Sequence, residues 1–151
     1  MKSELRVRPA EPKDSAAIWK WRNDPATRAA SVNTDEVCWA DHQGWYDRTL
    51  ASEERFLLIG EFEGEAVGVV RFDATESDTW EISINMAPSA RGKRLSVPLL
   101  NAGHAWLVDT FGPQSVTALI RVENSASLRA FENAGYVLAT KDAEYVTMHK
   151  N

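Results

Sequence analysis

The chain has 151 residues, enough for one domain with a sizeable core, and its 44% hydrophobic and 26% charged content is ordinary for a globular protein. No apolar run approaches the roughly 20 residues a membrane span requires, and a net charge of −5 argues against a general nucleic-acid binder. The single cysteine, Cys38, excludes an internal disulfide, and MKSELRVRPAEP lacks the apolar core of a signal peptide, so a cytoplasmic protein is expected.

Taken in order, residues 5–8 read as a short strand that ends at Pro9. Asp14 or Ser15 can cap a helix carrying Ala16, Ala17, Ile18, Trp19 and Trp21, and Pro25 ends it by pushing Asp24 out of the helical region. Residues 26–33 read as a helical turn and loop. A second helix is expected from Asp35 or Glu36 to about Leu50, carrying Cys38, Trp39, His42, Trp45 and Tyr46, with Gly44 its weak point. Cys38 is expected to pack rather than react. Residues 56–62 and 66–72 form a hairpin around Glu63-Gly64, and a polar loop over 73–78 follows.

The next stretch, 81–106, is the one around which the chain is organised. Trp80, Ile82, Ile84 and Met86 alternate with Glu81, Ser83 and Asn85, which gives a strand with one apolar and one polar face. Pro88 stops it, and Arg91-Gly92-Lys93-Arg94 turns the chain. Leu95, Leu99, Ala102 and Trp106 then recur at helical spacing. Pro98 is tolerated only in a first turn, so this helix begins near 93–96. Its free N–H groups and positive dipole end lie beside three cationic side chains, a place suited to phosphates; the alternative is a plain strand–turn–helix unit with a solvated basic turn. After Gly112-Pro113, Val116, Ala118, Ile120 and Val122 form a fifth strand. Asn124 or Ser125 caps a helix closed by Gly135, and 136–139 with 145–149 form a last hairpin. The whole is one α/β (α+β) domain over 1–151, with about seven strands and four helices.

This order resembles the GNAT superfamily of acyl-CoA-dependent N-acyltransferases over nearly the whole chain. Two motifs carry the resemblance: the segment from Asn85 to Ser96, similar to the family's coenzyme A pyrophosphate loop, and Asn124-x-x-Ser127-Leu128-x-x-Phe131-x-x-x-Gly135-Tyr136, similar to its late helix. The resemblance implies a mixed, mostly antiparallel sheet and acetyl-CoA as co-substrate, with no metal. It also implies that the N–H groups of 91–96, in Arg91, Gly92, Lys93, Arg94, Leu95 and Ser96, cradle the pyrophosphate. Arg91, Lys93 or Arg94 would meet the outlying phosphate. Pantetheine would lie beside Ile84, Asn85 and Met86 and meet Asn124, Ser127 and Phe131 from the late helix. Asn124 could equally serve as a helix cap.

Two positions depart from the family pattern. Arg94 and Ser96 stand where the loop usually has glycines that allow close approach to phosphate. Arg94 is therefore expected to hold a conformation open to an L-residue and to point its side chain away. Phe131 stands where many relatives place a tyrosine that protonates the leaving thiolate. A thiol of pKa ~8.5 can leave without obligatory help, so the change costs rate rather than chemistry.

Amine acetylation needs a base. Glu81, on the polar face of the central strand, is the first candidate; an exposed carboxylate or a salt bridge to Arg71 is the alternative. His42 is the second, or else a half-buried helix residue. Trp21-Arg22-Asn23 and Trp45, with Arg71, are the acceptor candidates, and the segments around them resemble amino-sugar N-acetyltransferases acting on nucleotide-linked sugars and ribosomal-protein N-terminal acetyltransferases. Indole faces stack on sugars and Arg22 could hold a diphosphate, although tryptophans at helical spacing also build cores. The expected function is acetyl transfer from acetyl-CoA to a primary amine of a small molecule, with a nucleotide-linked amino sugar as the specific acceptor. The alternatives are protein N-terminal acetylation and a non-catalytic acyl-CoA-binding module. No nucleic acid and no membrane are expected as partners, and a homodimer stays an open option.

Overall fold

The computed structural model describes residues 4–31, 34–76 and 78–151. The alternating segments form β1 (Arg6–Pro9), β2 (Arg55–Phe62), β3 (Glu65–Glu76), β4 (Thr79–Met86), β5 (Ser115–Arg121), β6 (Val137–Lys141) and β7 (Tyr145–Lys150). They make one sheet in the order β1-β2-β3-β4-β5-β7-β6. Every neighbouring pair is antiparallel except β4 and β5. Parallel neighbours need a crossover, and the long helix α4 (Ser96–Phe111) supplies it.

Period two sorts the apolar residues to the two faces. Leu57, Ile59 and Val69 pack with Ile18 of α1 (Ser15–Asn23) and Tyr46 of α3 (Trp39–Ala51). Their neighbours Leu58, Val70 and Phe72 turn the other way, onto Leu99, Leu100 and Leu107 of α4 and Phe131 of α5 (Ser125–Asn133). Gly103 brings α4 close to β3: a Cβ there would stand 3.2 Å from Val70. The expected mixed, mostly antiparallel seven-stranded domain is what is found.

The described residues hold five α-helices rather than four. The added one is α2 (Pro25–Ala30), which Asp24 caps by accepting from the Thr27 N–H at 3.1 Å. It occupies the expected turn over 26–33, of which 32 and 33 lie outside the described residues, as does residue 77 of the loop expected over 73–78. That loop is also shorter than expected, because β3 runs on to Glu76 and pairs with Thr79. α3 begins later than the sequence suggests. Both backbone groups of Val37 are taken by the Asn23 side chain, at 2.8 and 2.7 Å, and the Trp19 indole N–H also donates to the Val37 carbonyl, at 2.8 Å. The chain held there leads into Cys38 in extended form, φ −73° and ψ 157°, so α3 starts at Trp39. Cys38, expected to pack, is exposed at the start of that helix.

Candidate active site

β4 and β5 pair over only three residues, Thr79–Glu81 against Ser115–Thr117, although β4 continues to Met86 and β5 to Arg121. Beyond Glu81 the two strands part and leave a fork that cuts through the sheet. A cleft of about 490 Å³ fills it, lined from both faces. A polar chain entering such a fork meets backbone groups that sheet pairing would otherwise consume.

Many of the sequence-predicted residues meet there. Glu81 lies at the crotch of the fork, with Ile84 and Asn85 along one edge. From α5 come Ser127 and Phe131, one turn apart on the same side, and Asn124 stands at its start. Asn124 also accepts from the Ser127 N–H at 3.2 Å, so it is a helix cap as well as a cleft residue. Arg22, Trp45 and Arg71 line the opposite end. The salt bridge envisaged between Glu81 and Arg71 is not the one formed: Arg71 Nε sits 3.0 Å from Asp73.

The basic turn lies beyond the cleft, between β4 and α4. A short 3-10 turn over Pro88–Ala90 precedes it, and Leu95 is buried, pinning the loop to the core. The first bond within α4 runs from the Leu99 N–H to the Leu95 carbonyl at 3.0 Å. The N–H groups before it therefore have no partner in the helix. Arg94 corrects an expectation. Its φ is +57°, beside Gly92 at +77°, so the loop keeps the left-handed geometry a glycine would give and imposes it on an arginine. Arg91 differs as well. Its guanidinium reaches back to Asp24 and, at 2.8 Å, to Thr27 Oγ1, and its own N–H closes the 3-10 turn on Pro88 at 3.3 Å. The turn is thus tied to the α1–α2 corner. Lys93 and Arg94 are exposed.

Three predicted residues serve the scaffold instead of the cleft. Trp21 packs between the two apolar clusters. Asn23 spends its amide on Val37. His42 is buried among Trp39, Trp45 and Tyr46. Its Nε2 lies 3.0 Å from the Ser15 carbonyl and must carry the proton. Burial above all, then the charge of Arg22, holds its pKa below the usual histidine value. Its Nδ1 lone pair faces Arg22 Nη1 at 3.5 Å. His42 therefore supports a cleft residue without being one.

Arg22 is the electrostatic feature of the acceptor end. Desolvation, and then the charge of Arg71, lower its pKa. Its guanidinium carbon stands 5.0 Å from the centre of the Trp45 ring, and that of Arg71 stands 5.9 Å from the same ring. Sequence reasoning missed Ser83, Asp35 and Arg121, which also line the cleft. Ser83 shares the polar face of Glu81, so the period of two held the signal. Arg121 becomes visible only once β5 is known to form the other arm of the fork. Its Nε donates to the Ser31 carbonyl at 2.6 Å. For Asp35, in a connecting segment, the sequence carries no signal.

Comparison with known proteins gives one family and one fold. The acetyltransferase (GNAT) domain family matches over residues 4–137. No curated protein matches by sequence. Among solved structures, a spermidine N-acetyltransferase from Vibrio cholerae, in complex with CoA and spermine, superposes with a TM-score of 0.90 at 16% identity, over 97% of this chain and 95% of that one. The aminoglycoside acetyltransferase AAC(6')-Ib, solved with paromomycin and acetyl-CoA, gives 0.85 at 21% identity, over 98% and 93%. A domain from Methanocaldococcus jannaschii gives 0.84 at 21%, over 99% of both chains. At these identities the structural likeness is one of fold.

Proposed function

The chain belongs to the GNAT acetyltransferase family, acetyl-CoA-dependent N-acetyltransferases, and we propose that it acetylates the primary amine of a small acceptor with Glu81 as the base. The observation that carries this reading is the fork itself: a carboxylate stands where β4 and β5 part, beside the unpaired edges of both strands. The N–H groups ahead of Leu99, at the positive end of α4, supply the phosphate site. The pantetheine arm enters the fork along Ile84 and Asn85, with Asn124 on the facing side.

Glu81 takes a proton from the acceptor amine, directly or through a water, and the nitrogen attacks the thioester carbonyl. A C–N bond forms, the C–S bond breaks, and the thiolate leaves with the electron pair. Phe131 has no proton to give. Ser127, one turn earlier on α5 and in the same cleft, carries the hydroxyl that can hydrogen-bond the departing sulfur. The specific acceptor we favour is a nucleotide-linked amino sugar. Its support is Arg22, which lines the acceptor end with its guanidinium over the Trp45 ring and can meet a diphosphate.

Calorimetric titration with acetyl-CoA, repeated at higher salt, followed by thiol release in the presence of amines, tests the reading. Micromolar binding that weakens with salt, then turnover with an amine, is expected. Failure to bind at millimolar coenzyme would overturn it and leave an interaction module.

A further inference from the structure

We infer that the acceptor carries, besides its amine, an oxyanion, phosphate or carboxylate, that is held by Arg22 and Arg71, whose guanidiniums lie over the Trp45 ring. This rests on the acetyltransfer reading above and names the substrate class of that same site.

Antiparallel register puts Arg71 and Asp73 of β3 on one sheet face with Glu81 and Ser83 of β4, since Arg71 pairs with Ser83 and Asp73 with Glu81. Arg71 and Glu81 are therefore diagonal neighbours, their backbones roughly 7–8 Å apart. One small molecule can present an amine to the second and an anion to the first. Arg71 is already half compensated, by Asp73 at 3.0 Å. Arg22 is not. Among the described residues it has no carboxylate partner, only the lone pair of His42 Nδ1 at 3.5 Å and the ring of Trp45.

A half-buried guanidinium beside a second guanidinium, with no carboxylate partner of its own among the described residues, is an unfavourable arrangement. An incoming oxyanion relieves it by accepting charge-assisted hydrogen bonds. Arg121 also lines the cleft, where it is paired with Glu123 at 3.7 Å, and the carboxylates of the lining are Asp35 and Glu81. His42 completes the device. Its proton is fixed on the Ser15 carbonyl, so the lone pair it turns to Arg22 helps hold the guanidinium in place.

The test is binding to CoA-saturated protein, read by calorimetry in matched pairs: glucosamine 6-phosphate against glucosamine, and alanine against alaninamide, with spermidine as the polycation. The anionic member of at least one pair is expected to bind roughly tenfold or more tightly than its neutral partner. Arg22→Gln should bring that ratio close to one while leaving the coenzyme Kd unchanged. Arg71→Gln serves as the second variant if the first fails to fold. Discrimination in the phosphate pair alone identifies a phosphorylated acceptor; in the carboxylate pair alone, one resembling an amino acid. Equal binding within both pairs, tightest binding of spermidine, or a ratio unchanged in a folded variant overturns the inference. Anion discrimination without turnover would sink the catalytic reading and leave the anion site standing.

Discussion

The wall of the cleft assigned to the coenzyme is made of backbone, whereas the wall assigned to the acceptor is made of side chains. On the first, the working parts are the parted edges of β4 and β5 and the uncapped start of α4, fixed by register and by the left-handed turn at Gly92 and Arg94. On the second they are Arg22, Trp45 and Arg71, held by a buried histidine and a neighbouring carboxylate. A backbone site tolerates changes of side chain, so the proposed coenzyme wall can accept Arg94 at φ +57° and Phe131 on α5. A side-chain site has no such tolerance, and the proposed specificity would reside there.

The largest expected effect falls between the two walls. Glu81→Gln removes the proposed base and should lower kcat by roughly 10²–10⁴-fold, with acetyl-CoA affinity nearly unchanged. Steady-state kinetics across pH 6 to 9 decide it: unaltered turnover would remove Glu81 from the role. Next comes a test of whether the coenzyme wall is truly backbone. In Gly68→Ala the new Cβ would stand 2.9 Å from the Asn85 carbonyl oxygen and 3.1 Å from Leu99. A carbonyl cannot swing aside as a side-chain end can, so β3 and β4 must shift. Denaturant melts should show a loss of about 1–3 kcal/mol, and coenzyme affinity should fall with it, because Asn85 lies on the fork. A destabilised variant with unchanged affinity would mean that the fork is not read by the coenzyme.

A smaller effect tests the support of the acceptor wall. His42 is neutral in the fold because burial, chiefly, depresses its pKa, and His104 is held low by burial and by Lys150. Unfolding frees both to titrate near 6.5. The unfolded chain then binds more protons, so stability is fully present above that pH and is lost as pH falls from about 6.5 towards the depressed values. Unfolding midpoints should fall between pH 7 and 5.5. A flat profile would show that His42 is not held neutral and cannot offer Arg22 a lone pair.

What the sequence revealed follows the same division. The strand, basic turn and helix of 80–106 were legible because period two, Pro88 and Pro98 are local signals. The fork was not, since it depends on how far β4 and β5 pair, which no local pattern records. Of the five residues expected on the acceptor side, Arg22, Trp45 and Arg71 line the cleft and Trp21 and Asn23 do not. Asn23 and Trp21 sit one position either side of Arg22, and only the phase of α1 against the sheet decides which of the three faces the cleft. His42 looked like a base because histidine titrates near neutrality; the Ser15 carbonyl and three aromatic rings around it decide otherwise. Arg91 looked like a phosphate ligand until Asp24, 67 positions earlier, came within reach.

The smallest expected effect is the sharpest probe of the comparison. Arg94 holds φ +57°, a conformation costing an L-residue about 1–2 kcal/mol that glycine does not bear. Arg94→Gly relieves that strain, but the freer unfolded chain takes back about 0.4–1 kcal/mol. The net gain is therefore between about 0 and 1.6 kcal/mol, a rise of several degrees at most in Tm for a domain of this size. Coenzyme affinity should change too, because one exposed cation is lost beside the phosphate site. An exposed ion pair contributes about 0–1 kcal/mol, so the change should stay within roughly fivefold and shrink at high salt. A loss well beyond tenfold would make the guanidinium itself a phosphate ligand, and the coenzyme wall would then depend on side chains as the acceptor wall does.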